Sequence, residues 1–297
     1  MSVDAEQTVD LLSEEKAQIS GDPSRGFPWW ASAIIFVGLI FVFVVLTNEN
    51  YNDTFKVMIF GRPSAAALEG ILLTVRITLI SFVISMVLGL VAGLGRISRN
   101  VIFYNVATFY VEVVRGVPLV VLMLYVAFVL LPIVIDAIVG LGEGLGWAFL
   151  ADASIRNVSF EARAITALAF GYGAYEAEVF RAGIESIERG QMEAARSLGM
   201  TYFQAMRYII LPQAIRRVLP PLGNDFIAML KDSSLATVLA VPELTQLGRV
   251  QRSSTFRVFE VFNTVAILYL SMTLLLSFLV RKRERRMSGD RRTERIR

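Results

Sequence analysis

EAARSLGMTYFQAMRYIILP, residues 193–212, carries Glu193, Arg196 and Arg207 between two of the most apolar regions of the chain. Within it Ala195, Leu198, Tyr202, Met206 and Ile209 recur every three or four residues, the spacing of an apolar stripe on an otherwise polar helix. Gly199 predicts a break between two short helices, and Pro212 is expected to stop the second before the next apolar run begins. The segment reads as a compact knob lying against something. Taken alone, the same spacing also describes a surface helix with nothing to bind.

What surrounds the knob sets its context. With 55% hydrophobic residues, 19% charged residues and a mean hydropathy of +0.58, the chain reads as an all-α integral membrane protein. Its 297 residues supply roughly five to seven spanning helices and no separate soluble domain. Ala31–Leu46, Leu68–Leu94, Val117–Ile135, Phe160–Phe180, Ala214–Val241 and Val258–Val280 are the candidates, about six transmembrane helices in all. Residues 1–28 are polar, and a disordered tail is expected there. The apolar run that follows this acidic leader reads as a retained anchor, with an outer loop completing residues 29–66.

The chain has no His and no Cys, which excludes thiol nucleophiles, disulfides, His-ligated metals and Ser-His-Asp triads. No catalytic residue and no metal site are expected, and the protein does not read as an enzyme. It also lacks any Gly-Lys pair, so it holds no P-loop; ATP, if used, is hydrolysed by another subunit. Residues 281–297 hold nine arginines and lysines, placing this tail in the cytoplasm; with an even number of spans the N-terminus is cytoplasmic too. The knob, with Arg189, Arg196, Arg207, Arg216 and Arg217 in or near it, then faces the cytoplasm. Residues 245–257 read as an outer loop, and their three arginines run against the trend.

Polar groups at membrane depth are costly and are retained mainly for function. Tyr172, Tyr175 and Glu176 lie about 18 to 24 Å along the span that starts at Phe160, with Tyr172 and Glu176 on one face. Glu176 reads either as a selector for a cationic group or as a hydrogen-bonding partner of a neighbouring helix. Glu178 and Arg181, three residues apart, pair with each other on the bland reading. Beyond Pro212, Lys231-Asp232-Ser233-Ser234 follows after about 28 Å of rise. Asp232, Ser233 and Ser234 are N-cap residue types, so a broken helix is expected there whose free amides receive a carboxylate. Asn224 and Asp225, two turns below, would line the same cavity. Arg115, before Gly116 and Pro118, is a gate residue or an ordinary interfacial arginine. Ser85, Gly89 and Gly93 read as a packing stripe, and GLGEGLGW at residues 140–147 as a loop.

Glu193-Ala194-Ala195, Gly199 and Ile209-x-Leu211-Pro212 resemble the EAA loop of ABC importer permeases. FYVEVVRGVPLVV (109–121), GAYEAEVFRAGI (173–184) and PQAIRRVLPPLGNDFIAMLKDSSLATV (212–238) are similar to the polar amino acid branch of that family. The resemblance covers residues 67–280, with a coupling loop at 188–212, and leaves the first span outside it. It implies a type I importer core of five helices plus an N-terminal extra helix, working by alternating access in a bacterial plasma membrane. The loop is implied to couple to ATP-binding cassette ATPase subunits, which carry ATP and Mg while this chain needs no cofactor. Implied partners are a second permease subunit, identical or similar, an extracytoplasmic solute-binding protein, a polar amino acid and membrane lipids, with no nucleic acid. An ion- or proton-coupled secondary amino acid transporter, using Glu176 and Asp225, is the alternative; the EAA loop argues against it.

Overall fold

The computed structural model describes residues 29–60 and 66–294, which are helical throughout apart from short connections. The tail at residues 1–28, expected to be disordered, lies outside the described residues. The chain divides into two compact units, residues 1–55 and 56–297.

In the first unit α1 (Trp29–Thr47) is apolar on all sides, with Ile35, Phe36, Leu39 and Phe43 exposed, as a span bathed in lipid would be. The helix that follows, α2 (Glu49–Phe60), turns away by 102°. Phe41 meets Tyr51 and Phe55 edge-on at 6.4 and 6.2 Å and closes the corner.

The second unit is organised around one enclosed helix. It comprises α3 (Ala66–Arg96), α4 (Val101–Gly116), α5 (Leu119–Tyr125) continuing into α6 (Leu131–Leu145), the short α7 (Ala148–Ala151) and α8 (Phe160–Glu185). The knob helices α9 (Arg189–Ser197) and α10 (Tyr202–Ala205) follow, then α11 (Leu211–Asp232), α12 (Leu244–Thr255) and α13 (Val258–Glu294). The Ser159 hydroxyl caps α8 by accepting from the Ala162 amide, and Arg163 donates to the carbonyls of Ile155 and Val158, tying the preceding connection to it. Ala164, Ala167, Leu168, Gly171, Ala174 and Ala177 are buried, and Met123, Val126 and Ile77 close the main core over them.

The contact of α8 with α3 is backbone-close. A Cβ on Gly89 would stand 2.7 Å from the Glu176 Cβ, and one on Gly93 would stand 2.8 Å from the Ala177 carbonyl oxygen. In lipid, where apolar burial gives little drive to helix association, such small-residue contact supplies the packing.

Among the described residues, three helices are long and apolar enough to cross a membrane on composition: Glu69–Arg96, Leu119–Leu145 and Val258–Arg283; the bent α1–α2 pair makes a fourth if it is one span. α8 and α11 are long enough, at 26 and 22 residues or about 39 and 33 Å, but polar residues interrupt them.

Several local expectations change. Pro212 does not stop a helix: the chain stays helical from Tyr202 to Asp232, with a π turn at Met206–Ile210 and Pro212 at the start of α11. The wider turn accommodates the ring and missing amide of proline. The same device precedes Pro132, where a π turn at Val126–Leu130 joins α5 to α6. Nor does the chain break at Asp232. It tightens into a 3-10 helix, Ser233–Leu239, and the Asp232 side chain makes no cap, so no free helix N-terminus arises there. Residues 140–145 belong to α6, with left-handed Gly146 (φ 69°) ending it, and residues 245–255 belong to α12 rather than to a loop. α4, not among the candidate spans because Asn105, Glu112 and Arg115 interrupt its apolar residues, buries Ala107, Val111 and Val114.

Gly93→Val is expected to lower stability by about 1–3 kcal/mol through overpacking. Gly140→Val, where nothing lies within 4 Å, should change it little. Thermal unfolding of the two variants in detergent measures the difference.

Candidate functional site

The knob is built from two matched caps. At the end of α9, Gly199 adopts φ 82° and donates to the Arg196 carbonyl, while the Met200 amide reaches the Ala195 carbonyl at 3.1 Å. This is a Schellman closure, which requires a left-handed residue and hence favours glycine. Thr201 and Gln204 then form a reciprocal capping box that starts α10 at once. The capping box was legible as Thr-x-x-Gln and was not used in reading the sequence.

The predicted apolar stripe separates into two faces. Ala195 is buried, and Met206 and Ile209 pack with Ile187, Ile210 and Ala214 beneath the knob. Leu198 is 84% exposed, and Tyr202, Phe203, Tyr208 and Leu211 are exposed as well, Leu211 lining a cavity with Met86 and Val87 of α3. Glu193, Ala194, Gly199 and Pro212 are also exposed. Exposed large apolar side chains on so short a segment are suited to a protein partner. The guanidinium of Arg217 on α11 donates to the Ser186 carbonyl, a second tie between the base of the knob and α8.

At the knob end of the bundle an ion-pair cluster joins α3, α4 and α8. Glu178 is not merely the partner of Arg181, which donates to it at 2.7 Å. It also receives Arg96 from α3 and lies 3.6 Å from Arg115 at the end of α4. Arg96 continues to Glu112 at 3.2 Å, Arg181 to Glu185 at 2.6 Å, and the Arg115 guanidinium sits over the Tyr175 ring. Arg115 thus ties α4 to α8 just before the extended Val117 that leads into α5. Arg96 was missed because it lies at the polar end of an apolar run.

Deeper in the bundle the two polar helices meet. The Tyr172 hydroxyl donates to Asp232 at 2.7 Å, and the rings of Tyr172 and Tyr175 are 6.1 Å apart. Asp225 and Asp232, seven residues apart, share one face of α11. Phe82 and Phe226, 4.7 Å apart, seat α3 on α11 beside them. Glu176 is fully enclosed; one carboxyl oxygen accepts from Ser85 at 2.8 Å, and the other has no hydrogen-bond partner, like one buried oxygen of Asp225. The neighbouring-helix bond open to Glu176 is therefore made, and Ser85 does more than pack. Asn224 and Lys231 lie on a different, exposed face of α11, apart from this group. Ser233 is turned inward onto the Leu230 carbonyl, and Ser234 is half-buried.

A helical bundle with apolar spans, a capped knob bearing exposed apolar residues and carboxylates buried between its helices fits a membrane transport subunit. The sequence matches the family described as binding-protein-dependent transport system inner membrane component over residues 85–289, and the chain belongs to that family, a class of multi-pass inner-membrane permeases. It is 37% identical over 220 residues to the glutamine transport system permease protein GlnP of Escherichia coli K12, covering 74% of this chain and 92% of that protein. To the arginine transport system permease protein ArgU of Corynebacterium glutamicum it is 34% identical over 261 residues, 86% of this chain and 78% of the relative. The solved crystal structure of an amino acid ABC transporter with histidines superposes with a TM-score of 0.63 at 35% identity, covering 81% of this chain and 97% of that one. The MetNI methionine ABC transporter, at 22% identity and a TM-score of 0.57, shares the fold.

Replacing Glu178 by Gln should weaken the cluster by about 1–3 kcal/mol, because three arginines then face a neutral amide. The thermal midpoint of the purified protein is expected to fall, and to fall less as salt is raised.

Proposed function

We propose that this chain is the permease subunit of an ATP-driven importer of polar amino acids, working as one of a pair of identical or similar permease subunits in the plasma membrane. The reading is supported by family membership and by the glutamine and arginine permeases among the relatives. The basic tail sets the knob on the cytoplasmic side, with both termini there. In this arrangement Glu193, Ala194, Ala195, Gly199, Ile209, Leu211 and Pro212 belong to the surface or base that meets an ATP-binding cassette subunit. ATP and Mg reside on that subunit, and this chain contributes no catalytic residue. An extracytoplasmic binding protein delivers the substrate to the opposite face.

One observation carries the mechanism: the chain stays helical from Tyr202 to Asp232, through the π turn before Pro212 and through Pro220 and Pro221 inside α11. A displacement of the exposed knob is thereby transmitted as a rigid-body movement of α11. At its far end α11 carries Asp232 on Tyr172, and midway it carries Asp225 beside the aromatic contact of Phe226. Movement of α11 relative to α8 remakes these polar contacts, which is how closure of the ATPase pair reaches the path lined by Tyr172, Tyr175, Glu176, Asp225 and Asp232. Asn224 and Lys231 on α11, and Ser233 and Ser234 in the 3-10 helix after it, add further polar groups, while Arg115, Glu178 and Arg181 hold the cytoplasmic end together.

Leu198→Asp places a charge on the most exposed apolar residue of the knob without touching the core. It is expected to abolish co-purification with the ATP-binding subunit while leaving the thermal midpoint of the permease near that of wild type. Gly199→Asp adds strain of about 1 kcal/mol at the left-handed position and a charge on the same surface. Uptake in reconstituted vesicles should fall to background in both; normal ATP-dependent uptake in either would remove the knob from the mechanism.

A further inference from the structure

At the end of the bundle opposite the knob, α3 carries Arg76 inside its apolar span, Glu69–Arg96. An arginine inside such a span is costly and is kept where it has a partner or a task. Its Nε and Nη2 donate to the two carboxylate oxygens of Glu161, in the first turn of α8, at 2.8 and 2.5 Å. The fork is bidentate but not sealed: the Arg76 side chain is 59% exposed and that of Glu161 26%. Both line a cavity of about 550 Å³. Leu72, Leu73, Leu247 and Pro242 form its apolar wall, and Glu69 closes the other end, seven residues or about 10 Å along α3 from Arg76.

We propose that this cavity is a binding site for a cationic α-amino acid, an inference that rests on the amino acid permease reading. The chemistry is complementary in order and in spacing. A guanidinium has five N–H donors, and Arg76 uses two of them on Glu161, which leaves others for an α-carboxylate. The carboxylate oxygens of Glu161 retain lone pairs for an α-ammonium, so a fixed Arg–Glu pair presents the mirror image of a zwitterion. An aliphatic side chain laid along Leu72 and Leu73 brings its terminal cation toward Glu69. The cavity has room for such a molecule, and its walls come from α3, α8, α12 and the segment that leads into α12. Movement among those elements would change its shape. A pair that only stapled α3 to α8 would alter stability and leave substrate preference unmoved.

The test is equilibrium binding of radiolabelled arginine, lysine and glutamine to the complete permease–ATPase complex in nanodiscs, without binding protein. Uptake by the full transporter and thermal unfolding are measured alongside. Glu69→Gln is expected to shift preference away from arginine and lysine and toward glutamine by about tenfold, the effect of one lost charge-assisted contact. Arg76→Gln should weaken all three by about tenfold or more. Leu72→Trp, at a helix position that is exposed and so tolerates the larger ring, should block all three. If Arg76→Gln proves unstable, the other two variants decide. Unchanged binding and preference in Glu69→Gln and Leu72→Trp overturns the site and leaves the importer reading standing, as does uptake by a wild-type complex that binds no amino acid on its own. A wild-type transporter that neither binds nor imports any amino acid removes both.

Discussion

Close backbone contact between α3 and α8 is the constraint on which the rest depends. Side-chain-free positions at Gly89 and Gly93 let the helices approach until a single added carbon would collide with the Glu176 Cβ or the Ala177 carbonyl. In a solvent of lipid tails, that approach and the hydrogen bonds it permits replace the hydrophobic drive of a soluble core. The Ser85 hydroxyl reaches Glu176 because α3 is so near, and Arg96, about three turns further along α3, reaches Glu178 at the same seam. A wider seam would leave Glu176 without its one bond in a medium that cannot supply another.

Continuity is the second principle. Two Leu-Pro steps, Leu131-Pro132 and Leu211-Pro212, enter helices that already exist, and in each case the turn before the proline widens to π geometry. The proline that sequence logic assigns to a stop instead marks where one helix passes into the next without a hinge. The exposed knob is thereby joined to the bundle interior by continuous helix, where a break would have separated the two.

Charged residues within the bundle follow one pattern. Arg76 with Glu161, Arg96 with Glu178, and Glu176 with Ser85 each join α3 to α8. Glu243 does the same work at α12: it caps the amides of Thr245 and Gln246 and accepts from Tyr269 on α13, while Thr74 of α3 accepts from the Leu244 amide. Polar side chains here set which helices meet and in what register, and the apolar surface is left largely to lipid, as the exposure of Val83, Val87 and Val91 on α3 illustrates.

Apolar run length, the absence of His and Cys, and the Gly199 break between two short helices were legible in the sequence, because each depends on residue type or on spacing within a single helix. The EAA pattern likewise sufficed to mark the knob. Sequence alone was misleading where a local rule has two outcomes: proline at Pro212 continued a helix, and three cap-forming residues at Asp232–Ser234 continued as a 3-10 turn. The pairings were decided only by tertiary structure. Ser85 lies 91 residues from Glu176, Arg76 lies 85 from Glu161, and Tyr172 lies 60 from Asp232. Spacing tells a residue's face on its own helix, but which face of which other helix stands opposite is set by how closely the backbones can approach, and that is a property of the packed bundle.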